Sequence, residues 1–442
     1  MRAFRSVGMT PADQYRTKLK SAAAAAAMIP DGAFVVQGNA VGEPPALLAA
    51  IAARARAGGF TRLEMTSLLP LAASAESTLA PDLRGVVHWR SIFASGVDRA
   101  ALAAGAAVAA PAYFHQVPRI YREFLKIDVA LLHVSRPDRH GYMSLGVGVD
   151  TARAALDSAA LVLAQVNEHM PRVHGDAWVH VSEVDALVES SAPLAELPAS
   201  PPRPEDAAMG RIIAEMIPDG ATLQLGIGGV PSAVARALMG HKDLGIHTEM
   251  FVDPMVDLIA AGVANGRRKT FHAGKAVFAF AAGSRRLYDF LDDNPGVEAH
   301  PVSYTNHPAN IARNDGLVSV NSTIEIDLTG QCCSESMGPV QWSGTGGQHD
   351  FARGAFESRG GKSIIAFYST AKQGEVSRVV ATLRPGAVVT TPRTEVHWVV
   401  SEYGAACLKG KSTAERAQAL IGLAHPKFRD ELAAEARRLR YL

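Results

Sequence analysis

Cysteine is scarce in this chain: Cys332, Cys333 and Cys407 are its only three. An odd count with two neighbours adjacent excludes a disulfide framework and points to a reducing cytoplasm. Adjacent Cys332 and Cys333 also lack the spacing of a zinc or redox motif, and no metal site is expected. Charge of either sign is not in excess. Lys plus Arg total 44 and Asp plus Glu total 43, a net charge of +1. That balance gives no reason to expect a nucleic acid or a membrane surface as a partner. No apolar run is long enough to span a bilayer. The serine-hydrolase elbow, the phosphate-loop lysine motif and the His-Glu-x-x-His zinc motif are all missing.

What is present fits a globular enzyme. Apolar residues make up 48% of the 442 and charged residues 20%. That length is too great for a single ordinary core, so two or three domains are expected. Thirty-nine glycines supply the tight turns of an α/β fold. Near the start, Lys18 and Lys20 precede the alanine-rich residues 22–29. The arrangement faintly copies a signal peptide, and is read here as a helix.

The pentapeptide Met-Ile-Pro-Asp-Gly occurs twice, at 28–32 and at 216–220. Each copy follows a helical stretch and precedes a short apolar run, 33–36 and 221–225. Glycines and prolines come next, and a helical pattern starts at Ala46 in one copy and at Ser232 in the other. The repeated order predicts a duplicated α/β fold, two similar open domains with mostly parallel sheets. Five prolines within 193–204 read as a linker. The expected domains are therefore 1–204 and 205–442. Further buried strands are expected at 128–134, 161–166, 317–320, 363–369 and 396–401, with helices over 256–263, 414–423 and 426–442. Arg437, Arg438 and Arg440 suit the end of that last helix through its dipole.

Three segments could carry chemistry. Gly226-Ile227-Gly228-Gly229-Val230, followed by Pro231, joins an expected strand to an expected helix. Glycines there let backbone N–H groups approach a phosphate or carbonyl oxygen. The dinucleotide fingerprint is incomplete, because Pro231 stands at the third glycine position. Ser343-Gly344-Thr345-Gly346-Gly347-Gln348-His349-Asp350-Phe351 could form an anion nest or an oxyanion loop. Glu249 follows His247 and Thr248 just before a helical pattern, and a held carboxylate can act as a nucleophile. Each segment also has a plain structural reading: a tight turn, a surface loop and a helix cap. His133 and His140 lie near Asp138 without a trusted metal spacing. The run Arg267-Arg268-Lys269 could face a phosphate or form a solvated surface.

Taken with Gly42-Glu43-Pro44, Val166-Asn167-Glu168 and residues 318–330, 390–393, 401–404 and 424–432, these segments resemble the class I coenzyme A transferases of the acetyl-CoA hydrolase/transferase type. The resemblance covers nearly the whole chain. It implies that Glu249 is the covalent nucleophile and that Gly347 donates a backbone N–H to an oxyanion. It also implies that Gly226 to Val230, Gly344, Gly346, Asn321 and Lys372 meet coenzyme A. No cofactor is needed beyond coenzyme A as part of the acyl-CoA substrate. The implied reaction moves coenzyme A to a small carboxylic acid such as 4-hydroxybutyrate, succinate, itaconate or acetate. An acyl-CoA hydrolase on the same scaffold is the alternative, and a non-catalytic relative or a sugar-phosphate isomerase stand further off. The resemblance implies a homodimer or homotetramer.

Overall fold

A computed structural model describes residues 9–197 and 201–442. The chain divides into two compact units, Met1–Leu197 with Val277–Tyr304, and Pro198–Ala276 with Thr305–Leu442. A single cut near residue 205, as the linker composition suggests, does not describe this division, because 277–304 returns to the first unit. There Val297–Ala299 pairs in parallel with His174–Gly175. Asp293 N–H donates to the Arg172 carbonyl at 2.7 Å, and Arg172 N–H to Asp292 Oδ1 at 2.8 Å. Of the proline-rich stretch, 198–200 lies outside the described residues.

The first unit is built on a seven-stranded, wholly parallel sheet. Its strands run Ala186–Glu189, Leu161–Val166, Val129–Val134, Phe34–Gln37, Leu63–Leu68, Val87–Phe93 and Ala107–Ala109 across the sheet. Every residue of Val129–Val134 is buried, as expected for a parallel strand covered on both faces. The helix Pro45–Arg56 starts on a proline, which suits the first helical position. It buries Leu47, Leu48, Ile51, Ala52 and Ala55, one stripe at helical spacing. That stripe shares a core with Val35, Leu63, Met65 and Trp89. Burying a leucine or isoleucine of this kind stabilises the fold by about 1.5–3 kcal/mol. The alanine-rich segment is a helix, Ala22–Ala27, and Ala25 and Ala26 are fully buried in the same core.

The second unit has a six-stranded sheet in the order Gly245–Ile246, Thr222–Leu225, Leu317–Ser322, Lys362–Ala366, Trp398–Ser401 and Gly404–Cys407. All neighbours are parallel except the last pair. Five strands of each sheet follow one pattern when those five alone are numbered along the chain: 2-1-3-4-5. The first sheet adds two parallel strands beyond position 2, and the second adds one antiparallel strand beyond position 5.

The repeated pentapeptide explains part of this likeness. Gly32 and Gly220 both take positive φ, 75° and 81°, which a residue with a Cβ adopts only under strain. Gly32 N–H donates to the Arg62 carbonyl at 2.8 Å, and Gly220 N–H to the Lys242 carbonyl at 2.9 Å. The preceding aspartates cap the same junctions. Asp31 Oδ1 accepts from Thr61 N–H, and Asp219 Oδ1 from Lys242 N–H, both at 2.8 Å. Each copy thus fastens the start of strand 1 to the start of strand 2.

Candidate active site

In a sheet of order 2-1-3-4-5 the connections diverge between strands 1 and 3, leaving a crevice at the C-terminal edge of those strands. In the second unit these are Thr222–Leu225 and Leu317–Ser322. The residues Gly226 to Val230 leave the first strand there, and Asn321 stands at the end of the other. Asn321 Nδ2 donates to Gln224 Oε1 at 3.1 Å, tying the two strand ends. Gly228 has φ 113° and caps the helix Gly229–Ala237. Ile227 is exposed. At Gly229 a Cβ would collide with the buried Asp206 carboxylate, so glycine is required by close approach. Asp206 also accepts from Tyr368 OH at 2.7 Å, and burial pushes the Tyr368 phenol up to about 12.

Glu249 reaches the same edge from strand 2. Gly245–Ile246 pairs with Thr222–Leu223, and the chain then leaves the sheet at His247. His247 and Thr248 are fully buried. The His247 Nε2 lies 2.8 Å from the Thr305 carbonyl oxygen, and Thr248 Oγ1 donates to the Met250 carbonyl at 3.0 Å. These anchors leave the Glu249 side chain half-buried. Asn306, fully buried, donates from Nδ2 to Glu249 Oε2 at 2.5 Å.

Gly347 comes to the carboxylate from a third direction. It is the N-cap of the ten-residue helix Gln348–Glu357, whose course back to strand 4 puts its N-terminus at the same sheet edge. A Cβ on Gly347 would run into both the Glu249 carboxylate and Asn306 Nδ2. Any other residue is therefore excluded without displacing the acid. N–H groups in a helix's first turn lack intrahelical acceptors, and the dipole there favours negative charge. Gly346 takes a positive φ of 54° to make the entry. Gly344 and Gly346 are buried in this loop.

Glu249 and Gly347, far apart in the sequence, are thus in contact. Gly226 to Val230 and Asn321 share their sheet edge. Lys372 lies beyond the end of strand 4, exposed at the tip of the hairpin Thr370–Ala371/Val376–Ser377, with φ 49°. No described contact joins it to Glu249. In the basic run at 267–269, Arg267 and Arg268 are exposed, as a solvated surface would have them, and only the third residue turns inward. Lys269 is buried, and its Nζ donates to the carbonyls of Ile246 at 2.9 Å and Lys275 at 2.7 Å. It clamps the strand that delivers Glu249. Asn306 was missed by sequence reading. It stands in Thr305-Asn306-His307-Pro308, whose only signal is a polar step before a proline.

The equivalent edge of the first unit holds a buried polar group of its own. Glu43 accepts from Ser74 Oγ at 2.5 Å and from Leu71 N–H at 2.8 Å. Burial raises its carboxyl to about 7. Asp150, beside Asn39 and Thr151, is raised by burial to about 6, and the His133 imidazole is pushed down to about 4 for the same reason. His133 meets Asn167, and Asp138 Oδ1 instead accepts from the N–H groups of His140 and Tyr142.

The duplicated 2-1-3-4-5 sheets, with a glutamate held at a helix N-terminus beside a glycine-lined strand edge, define a coenzyme A transferase-like α/β enzyme. Residues 5–197 match the acetyl-CoA hydrolase/transferase N-terminal domain, and residues 283–436 its C-terminal domain. The chain is 46% identical to succinyl-CoA:cyclohexane-1-carboxylate CoA transferase of Geobacter metallireducens, covering 96% of both chains. It is 47% identical to 4-hydroxybutyrate coenzyme A transferase of Clostridium kluyveri, covering 95% of this chain and 97% of that one. The crystal structure of RipA from Yersinia pestis superposes with a TM-score of 0.93 at 42% identity, covering 98% of this chain and all of that one. The chain belongs to the acetyl-CoA hydrolase/transferase family and is an enzyme with CoA-transferase activity.

Proposed function

We propose that this enzyme moves coenzyme A from an acyl-CoA to a small carboxylic acid, with Glu249 as the covalent carrier. The observation that carries the reading is the Glu249 carboxylate lodged against Gly347 at a helix N-terminus and held by Asn306. The adjacent cysteines are poor rivals as nucleophiles. Cys332 and Cys333 are buried, and desolvation pushes the Cys332 thiol well above its usual range, whereas the thiolate is the reactive form.

A Glu249 oxygen attacks the thioester carbonyl, and the carbon–sulfur bond breaks to release the coenzyme A thiolate. The product is a mixed anhydride between Glu249 and the acyl group. The thiolate then attacks the glutamyl carbonyl and expels the donor carboxylate, leaving coenzyme A as a thioester of Glu249. An acceptor carboxylate attacks that thioester, and the same two steps run in reverse. No step needs a strong acid, because thiolate and carboxylate are both good leaving groups. Each addition does build an oxyanion, and Gly347 N–H is assigned to stabilise it; one such donor is worth about 3 kcal/mol. Gly226 to Val230, Gly344, Gly346, Asn321 and Lys372 are assigned to coenzyme A contacts, with remote binding energy supporting the transition state.

The acceptors proposed are succinate, 4-hydroxybutyrate, itaconate and acetate. The working form is proposed to be a homodimer or homotetramer in the cytoplasm. No helix among the described residues is long and apolar enough to cross a membrane. The test is an acceptor panel with acetyl-CoA or succinyl-CoA as donor. Wild type forms the acceptor's CoA ester, and Glu249→Ala folds but does not. Near-normal transfer by Glu249→Ala would sink the assignment, and release of free coenzyme A without any new ester would replace transfer by hydrolysis.

A further inference from the structure

The loop that delivers Gly347 wraps around one buried acid that the reaction does not use. Glu335 is 3% exposed. Its backbone carbonyl accepts from the N–H groups of Trp342 at 2.8 Å and Ser343 at 3.0 Å. Its carboxylate accepts from Thr390 Oγ1 at 2.9 Å and shares the Thr345 hydroxyl between its two oxygens at 3.5 and 3.4 Å. Gln341 Nε2 lies 3.5 Å from Oε2 and donates to the Ser343 carbonyl at 2.9 Å. Among the described residues no cation pairs with Glu335. A buried carboxylate without a counter-ion is expensive to keep. Its distinctive property is that it only accepts, and here it faces only donors.

Those donors belong to the Gly-rich loop and to the segment that backs it. Trp342, Ser343 and Thr345 lie two to five residues before Gly347. Thr390 adjoins Thr391, whose Oγ1 accepts from Gln348 Nε2 at 3.2 Å, at the first residue of the helix that Gly347 caps. We infer that Glu335 is a positioning residue for the oxyanion donor: it holds the Gly-rich loop so that Gly347 N–H meets the oxyanion formed at Glu249. No described contact joins Glu335 to Glu249, and it acts through Thr345 and Thr390. The inference rests on the reading of Gly347 as oxyanion donor.

The test compares wild type, Glu335→Gln, Thr345→Val and the double variant as full-length enzymes. A glutamine side chain presents an NH2 donor where the loop offers donors. Kinetics, the trapped Glu249–CoA thioester and thermal melting are read together. Glu335→Gln is expected to melt near wild type and keep its acyl-CoA KM within about twofold. Its kcat and its rate of thioester formation should fall about tenfold or more, as loss of geometry on the order of 1 Å produces. Thr345→Val should fall in the same way, and the double variant no further than the worse single one, since coupled groups are not additive. Wild-type kcat in Glu335→Gln, a change confined to KM, or additive losses would overturn the inference. If Glu335→Gln does not fold, Thr345→Val decides: a lowered kcat supports the role and an unchanged one removes it. Failure of wild type itself to form the thioester would instead bring down the Glu249 reading.

Discussion

Glu249 is an unremarkable residue by type, and its neighbours are what set it apart. Asn306 fixes one carboxylate oxygen, and Gly347 leaves room for it at a helix N-terminus. Gly347→Ala would push a methyl group into both partners. Its kcat is expected to fall about a hundredfold, as misplacement on this scale does, while acyl-CoA binding changes little; steady-state kinetics against an isothermal coenzyme A titration would separate the two. The Glu43 carboxyl gives a different prediction, in stability. Its folded pKa of about 7 lies above its ordinary value of 4.5. Below 4.5 both states hold the proton and there is no contribution. Between 4.5 and 7 the unfolded chain loses the proton and the folded one keeps it, so stability falls as pH rises. The full effect is about 3 kcal/mol. Glu43→Gln has no proton to lose, so its melting midpoint should gain on wild type as pH goes from 5 to 8. A constant gap across that range would contradict the burial argument.

At the scale of elements, the strands legible in the sequence were those covered on both faces. The expected strands at 161–166 and 317–320 stand at Leu161–Val166 and Leu317–Ser322, because continuous apolar runs have no other home. Leu63–Leu68 and Val87–Phe93 gave no such signal. Glu64 and Arg90 interrupt them, and the two pair with each other at 2.7 Å on a half-exposed face. The strand Gly245–Ile246 is too short for any periodicity, yet it leads the chain to Glu249, the proposed nucleophile. Lys269 holds that strand in place, so Lys269→Met keeps the aliphatic stem and abandons one buried and one half-buried carbonyl. Each orphaned acceptor costs about 1–3 kcal/mol. The variant should therefore unfold at lower urea concentration and transfer more slowly. Unchanged unfolding would show that water replaces the ammonium without loss.

For the whole molecule, a repeated pentapeptide was enough to expect two similar α/β halves. The Asp-Gly turns at 31–32 and 219–220 carry that likeness into three dimensions. The return of 277–304 to the first unit was not legible. It depends on the short strand Val297–Ala299 pairing with His174–Gly175 and on contacts more than a hundred residues apart. The site was half legible. Glu249 and the two Gly-rich segments stood out by composition and by family resemblance. Asn306 and Glu335 did not, and Lys269 stood out only as part of a basic run, because a buried amide, carboxylate or ammonium looks like a surface residue until its partners are known. The assembly expected from resemblance, a homodimer or homotetramer, is checked by sedimentation at micromolar concentration, and a single monomeric species would refute it.

The most direct measurement is to incubate the enzyme with acyl-CoA and no acceptor, reduce with borohydride, and map the modified peptide by mass spectrometry. Borohydride should convert the Glu249 thioester to an alcohol and inactivate the enzyme only when acyl-CoA is present, with the mass change confined to the peptide containing Glu249. Modification of a different carboxylate, or equal inactivation without acyl-CoA, would contradict the assignment of Glu249 as the covalent carrier.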